Sequence, residues 1–170
     1  QGSPITFHAA GNAVAITADN GTTPDGINLE GASHVVIDGF AVDNRTRAGI
    51  RTALSEFVTI RNCSCGFNGT WGILSGFADD LTIENNETYN STLEHGIYVS
   101  NSGDRPIIRG NVVYDNNANG IHMNGDIEQG GDGSLHAVVA ALHRRNDLRE
   151  ATLGLIPLGT GNDFARGTGI

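Results

Sequence analysis

The chain has 170 residues, the length of one domain or of two small ones. It contains 24 glycines, and ten basic residues, all of them arginine, against nineteen acids give a net charge of −9. This acidic balance argues against a nucleic-acid partner, which needs clusters of Lys and Arg, and 38% hydrophobic with only 17% charged residues excludes a disordered chain. No apolar stretch is long enough to span a membrane, and no secretion signal opens the sequence.

A repeat of 23 or 24 residues runs through most of the chain and is marked by a Gly-Ile pair. Short stretches rich in β-branched residues alternate with Asn, Asp, Gly and Ser, which favour turns. The pattern predicts a parallel β-solenoid of about five coils, stacked about 4.8 Å apart, with the Ile residues pointing inward. The repeated glycines are predicted to form the turns. The two isoleucine columns are Ile27, Ile50, Ile73, Ile97 and Ile121, and Ile37, Ile60, Ile83 and Ile108.

With these repeats, residues 1–127 resemble the right-handed parallel β-helix family, which includes pectate-lyase-like enzymes and related polysaccharide-processing proteins. The resemblance implies an all-β fold, a polysaccharide as partner, and an extracellular or secreted location. It also implies calcium as the cofactor if the chain works as a lyase. The sequence shows no cluster of carboxylates suited to that ion, so no metal ligand is assigned.

Stacking of the coils allows the other positions to be examined as columns. Cys63 and Cys65 are two residues apart, which puts both on one side of a strand, and they are predicted to be small core residues. One outward column alternates in charge and is predicted to form a surface ladder of ion pairs. Its members are Asp38, Arg61, Glu84 and Arg109.

The columns on either side of the Gly-Ile pair bring aromatic and charged residues together. Such a face suits a polysaccharide, because sugar rings stack on aromatic rings and arginine binds carboxylates. Equally, the aromatic residues could fill turn space and the histidines could be ordinary surface residues. Because the chain has no lysine, the candidates for a catalytic base are Arg51, His95 and His122. The predicted carbohydrate-binding residues are Arg47, Arg51, Trp71, Glu94 and Tyr98.

The repeat stops after Gly120-Ile121, and a different pattern follows. Apolar residues at helical spacing predict a helix over residues 134–149, followed by a short apolar strand and a glycine-rich loop. Gly130–Gly133 with this helix, and Pro157–Arg166, resemble the catalytic domain of diacylglycerol kinases and related lipid kinases. That resemblance implies ATP and Mg²⁺ as ligands, held at a glycine turn and a helix N-terminus. The nucleotide-binding residues would be Gly131, Asp132, Gly133, Thr160, Asn162 and Asp163.

The tail contains only part of that kinase domain, so lipid-kinase activity is not expected. Residues 1–127 and 128–170 are interpreted as two segments, and we hypothesise that unrelated sequences are joined near residues 130–133. The tail would then cap the open end of the solenoid with its helix. Three functions stay open: a polysaccharide-binding or polysaccharide-cleaving fragment, a nucleotide-binding remnant, and a structural module that self-associates through its coil ends.

Overall fold

Only β-strands occur as regular elements in the residues described by the computed structural model, which are 3–11, 14–100 and 103–124. The predicted helix over 134–149, the following strand and the six nucleotide-binding residues lie outside this part. The chain divides into two compact units, Gln1–His122 and Met123–Ile170. The strands are β1 (Ile5–His8), β2 (Ala15–Ile16), β3 (Ile27–Glu30), β4 (Ser33–Asp38), β5 (Ala41–Val42), β6 (Ala48–Arg61), β7 (Ser64–Gly66), β8 (Trp71–Asp79), β9 (Thr82–Glu84), β10 (Glu87–Tyr89), β11 (Ile97–Ser100), β12 (Ile107–Arg109), β13 (Val112–Tyr114) and β14 (Ile121–Met123).

The strands stack in parallel on three faces of a β-solenoid. Because β6 turns a corner at its middle, its first half pairs with β3 and its second half pairs with β4 and β9, while β8 pairs with it on both sides of the corner. The first face therefore contains β3, β6, β8, β11 and β14, and the second contains β1, β4, β6, β9 and β12. The third face is a five-stranded sheet of β2, β5, β7, β10 and β13, one strand for each of about five coils. The predicted all-β solenoid is confirmed.

The isoleucine columns form the core, as predicted. Ile50, Ile73 and Ile97 lie under the first face and are fully buried. Ile60 and Ile83 are equally buried under the second face. Burial of one such side chain contributes about 1.5–3 kcal/mol, so the stacked columns are the main source of stability. In β14 the column ends at Ile121, which is 45% exposed.

The glycines of the Gly-Ile pairs have a different role from the predicted one. They lie within or directly before strands, and a turn is not what requires them: their backbones run too close to neighbouring groups for a side chain. A Cβ atom on Gly49 would lie 2.7 Å from the carbonyl oxygen of Gly72, and one on Gly26 would lie 2.8 Å from that of Gly49. The prediction that these glycines form turns is therefore wrong; they permit the coils to stack closely.

Four columns of residues with positive φ make the corners of the coil, and glycine occupies few of their positions. Asparagine, which tolerates the left-handed region, fills several of them. Large apolar residues fill others, including Leu54 with φ 50° and Phe77 with φ 52°. Both side chains are exposed at the corner between the first two faces. The columns are Gly31, Leu54 and Phe77; His34, Phe57, Asp80 and Arg105; Gly39, Asn62, Asn85 and Gly110; and Asn44, Phe67, Asn90 and Asp115.

Buried asparagines connect successive coils at two of these corners. The Oδ1 atom of Asn86 accepts a hydrogen bond from the Cys63 N–H at 2.9 Å, and its Nδ2 donates to the Ile60 carbonyl at 3.0 Å. Asn68 makes the equivalent pair of bonds with the Arg45 N–H and the Val42 carbonyl. These ladders satisfy backbone groups that bend away from the sheets, which is required wherever such groups are buried.

The remaining structural predictions for the β-helix can be compared directly with its contacts. Cys63 and Cys65 are free thiols in the core, as predicted. In the charge column, Arg61 bonds Asp38 at 3.0 Å, and Arg109 Nη2 bonds Glu84 at 2.6 Å, which confirms two steps of the ladder.

Candidate functional site

Four aromatic rings from three coils lie together on the first face, and we call them the aromatic platform: Trp71, His95, Tyr98 and His122. The imidazoles of His95 and His122 are stacked, with ring centres 4.5 Å apart and planes 8° apart. The Tyr98 ring lies edge-on to both imidazoles, at 5.2 and 5.1 Å. Trp71 is tilted against Tyr98 at 5.8 Å. The parallel register produces this cluster, because equivalent positions of successive coils come to lie one strand spacing apart.

Hydrogen bonds hold the platform in place. Trp71 donates from its indole Nε1 to Oε2 of Glu94 at 2.8 Å, and that oxygen lies 3.8 Å from Nε2 of His95. His95 accepts at Nδ1 from the Asn119 N–H at 3.1 Å. The Asn119 side chain in turn lies 3.0 Å from Nδ1 of His122. Each ring therefore has a defined orientation relative to its neighbours.

Both arginines predicted for the site form ion pairs within the protein. Arg47 donates from Nε and Nη2 to the two carboxylate oxygens of Asp25, at 2.9 and 2.7 Å, and Asp25 is fully buried. Arg51 donates from Nη1 to Asn28 at 2.7 Å and to Glu30 at 3.0 Å. The hydrogen bonds that Arg47 donates to Asp25 also raise the pKa of Arg47. The two guanidinium groups are thus already bound to carboxylates of the neighbouring coil.

A shallow open groove continues along the first face from the platform. Its floor is formed by small residues that occupy the same outward position in three successive coils, Ala53, Gly76 and Ser100. Leu54 and Phe77 form the wall at the corner. On the platform side, the groove is bordered by Arg51 and Leu74, and Leu74 is the register partner of Tyr98.

The electrostatic environment of the platform keeps His95 neutral near pH 7. Burial, followed by the nearby His122, lowers the pKa of His95, and the opposite effect of Glu94 is smaller. Within the described ranges, 3–11, 14–100 and 103–124, no three His, Cys, Asp or Glu side chains are grouped so as to hold a metal ion. These residues therefore do not fit the calcium ion that the β-helix resemblance implies.

The structure thus places the sequence-predicted residues in two sets. Trp71, Glu94, His95, Tyr98 and His122 come together on the platform. Arg47 and Arg51 lie on the same face, but each is engaged by a carboxylate. Whether these residues bind a ligand stays a prediction.

Sequence reasoning missed the groove and the partners of the arginines. The signal for the groove was present, because Ala53, Gly76 and Ser100 follow the Gly-Ile pairs at one constant offset. It also missed a second aromatic stack on the third face, where Tyr89 and Tyr114 are 5.3 Å apart with nearly parallel rings. These tyrosines lie six or seven residues before a Gly-Ile pair, outside the columns that flank it.

No helix among the described residues is long and apolar enough to cross a membrane.

The sequence model of the diacylglycerol kinase catalytic domain matches residues 123–170. A protein of Xanthomonas oryzae pv. oryzae with the name "Probable lipid kinase YegS-like" is 50% identical over 50 residues, which are 28% of this chain and 16% of that protein. A Pseudomonas aeruginosa protein of the same name is 56% identical over 41 residues, 24% of this chain and 13% of that protein. The chain thus spans less than a fifth of the length of these relatives.

No solved structure matches the chain. A second family model, described as the right handed beta helix region, matches residues 8–127. That match covers well over half of the sequence and contains every strand from β2 to β14. Its span is also the part in which the coils, the isoleucine columns and the asparagine ladders are found. The chain belongs to the right handed beta helix family.

Proposed function

We propose that the aromatic platform and the adjoining groove bind a polysaccharide chain. The observation that carries this proposal is the cluster of four half-buried rings beside an open groove on one face of the solenoid. Sugar rings have apolar faces that stack on aromatic side chains, and their hydroxyl groups bond to polar groups at the rim. An extended face built from repeated coils suits an extended polymer, since each coil offers the same positions at a constant spacing.

Binding without cleavage is the form of this function that the contacts support best. Of the three candidate bases, Arg51 is bonded to Glu30, Nδ1 of His95 already accepts a hydrogen bond, and Nδ1 of His122 lies 3.0 Å from the side-chain nitrogen of Asn119. Of the carboxylates at this face, Asp25 and Glu30 are bonded to arginines, and Glu94 accepts from Trp71. Absorbance of unsaturated uronate products, measured with polyuronate substrates, tests this point, and product formation would contradict it. An extracellular location forms part of the proposal, since structural polysaccharides are found outside cells.

A glycan array followed by calorimetry tests the binding itself. Trp71→Ala removes the largest ring of the platform, and we expect affinity for the bound glycan to fall about tenfold or more, as is usual for a buried aromatic contact. Tyr114→Ala is the matched control, because it removes an exposed ring from the third face and leaves the platform intact. An array without binding, or equal losses in the two variants, would remove the platform as the site.

The match of residues 123–170 to the diacylglycerol kinase catalytic domain supports a second proposal, nucleotide binding by the tail. The residues concerned are those assigned by resemblance, including Asp132 and Asp163. Calorimetry with ATP and Mg²⁺ should give a binding heat that Asp132→Ala abolishes. If the unmodified chain gives no heat, the tail has no nucleotide site.

A further inference from the structure

We infer that the first face selects neutral glycans over acidic ones, because carboxylates of the same face already occupy its two arginines. This inference rests on the proposed function and names the class of sugar that the platform and groove would take. A face that binds uronates needs guanidinium groups with donors directed at the ligand. Here Nε and Nη2 of Arg47 and Nη1 of Arg51 donate to side chains of the protein itself.

Arg47 cannot be released to a ligand without a large penalty. Its partner Asp25 is fully buried, and one of its carboxylate oxygens also accepts a hydrogen bond from the Ala48 N–H at 3.2 Å. Removing one member of a buried ion pair leaves an uncompensated charge, which is strongly unfavourable. Arg47 therefore stabilises the stacking of the coil that contains β6 on the coil that contains β3, and it contributes no net positive charge to the face.

Arg51 lies next to the groove and is the arginine that a ligand would meet. Its side chain is only 20% exposed, and its Nη1 atom is shared between Asn28 and Glu30. Glu30 is the more exposed partner, at 52%. A uronate would have to displace this carboxylate, whereas a neutral sugar can bind beside the intact pair.

The remaining charge on the platform is negative. Glu94 is 45% exposed and accepts a hydrogen bond from Trp71. His95 lies beside it as a neutral imidazole near pH 7. Glu94 therefore offers acceptor capacity to sugar hydroxyl groups and repels sugar carboxylates. The net charge of −9 over the whole chain acts in the same direction.

The test compares neutral and acidic glycans on the complete chain. A panel of neutral oligosaccharides is measured beside oligogalacturonides in their free-acid and fully methyl-esterified forms, which share a backbone and differ in charge. We expect the bound members to be neutral and the esterified form to bind at least as tightly as the acid. Tighter binding of acidic glycans would overturn this inference and leave the platform proposal standing. Absence of binding across the panel would overturn both.

A charge substitution separates the two proposals further. Glu30→Gln keeps the shape of the side chain and removes the negative charge that neutralises Arg51, so we expect about a tenfold gain in affinity for the free-acid oligogalacturonide, the size of one charge-assisted bond. Glu56→Gln removes the same charge at an exposed position in the second half of β6 and should give no such gain. Equal behaviour of the two variants would refute the role of Glu30 as the group that excludes acidic sugars.

Discussion

Asn86→Ala offers the sharpest test of what holds one coil to the next. Asn86 is 1% exposed and lies at the corner between the second and third faces. Its side chain bonds the Cys63 N–H, the Ile60 carbonyl and Oδ1 of Asn111, at 2.9, 3.0 and 3.0 Å. Alanine leaves these groups without that partner in a place that water does not reach.

The expected loss follows from the two backbone groups. Each buried group that loses its hydrogen bond costs about 1–3 kcal/mol, so the substitution should lower the free energy of unfolding by about 2–6 kcal/mol. That is a large part of the roughly 5–15 kcal/mol typical of a domain. Asn117→Ala is the matched control, because Asn117 is exposed and its Nδ2 donates to the Leu93 carbonyl at 2.9 Å. It should change stability by no more than about 0.5 kcal/mol.

Urea unfolding measures both variants, with the single tryptophan, Trp71, as a fluorescent probe and circular dichroism as a second signal. Coincident transitions by the two signals justify treating the unfolding as one step. Equal stabilities of the Asn86→Ala and Asn117→Ala variants would refute the reasoning, since the ladder would then contribute nothing beyond a surface bond.

Two further predictions concern the glycine column and acid stability. Gly49→Ala places a methyl group 2.7 Å from a backbone carbonyl oxygen and should lower the free energy of unfolding in urea by about 1–3 kcal/mol. Gly21→Ala is the control, because its methyl group meets open space, and it should be neutral or slightly stabilising. Similar losses of stability in the two variants would contradict the close-approach argument. Burial alone would raise the pKa of Asp25, but hydrogen bonds from Arg47 and its other neighbours outweigh burial and lower that pKa. The pair therefore stabilises fully above about pH 4, the ordinary pKa of Asp, and its contribution disappears as the pH falls through the folded-state value. Thermal melts from pH 7 to 3 should accordingly show a smaller acid-induced drop for Asp25→Asn than for the unmodified chain, and an unchanged slope would exclude the pair as a source of acid sensitivity.

The repeat allowed much of this fold to be predicted, because parallel stacking puts equivalent residues of each coil at the same place. The buried columns through Ile50 and Ile60 followed directly from the spacing. The corners did not follow, since Leu54 and Phe77 adopt a backbone conformation that their residue types rarely take. Only the strands on both sides of the corner impose that conformation, and local propensity carries no trace of it.

The aromatic cluster of the candidate site was predictable for the same reason. Its aromatic members occupy neighbouring columns, so their meeting required only the register. The ion pair between Arg51 and Glu30 was not predictable in that way. Glu30 lies two positions beyond Asn28, the register partner of Arg51 in the previous coil, and either charged residue could have faced a ligand. Side-chain direction, which depends on packing at the corner, decided which bond forms.

The two buried cysteines allow local opening of the β-helix to be measured. Burial raises the pKa of Cys63, and that of Cys65 more strongly, so neither thiol is reactive while the coil is closed. They are the only cysteines of the sequence; Cys63 lies between β6 and β7, and Cys65 lies in β7 on the third face. The rate at which a thiol reagent labels the chain in water therefore measures the rate of opening of the coil that contains β6 and β7, without any added probe.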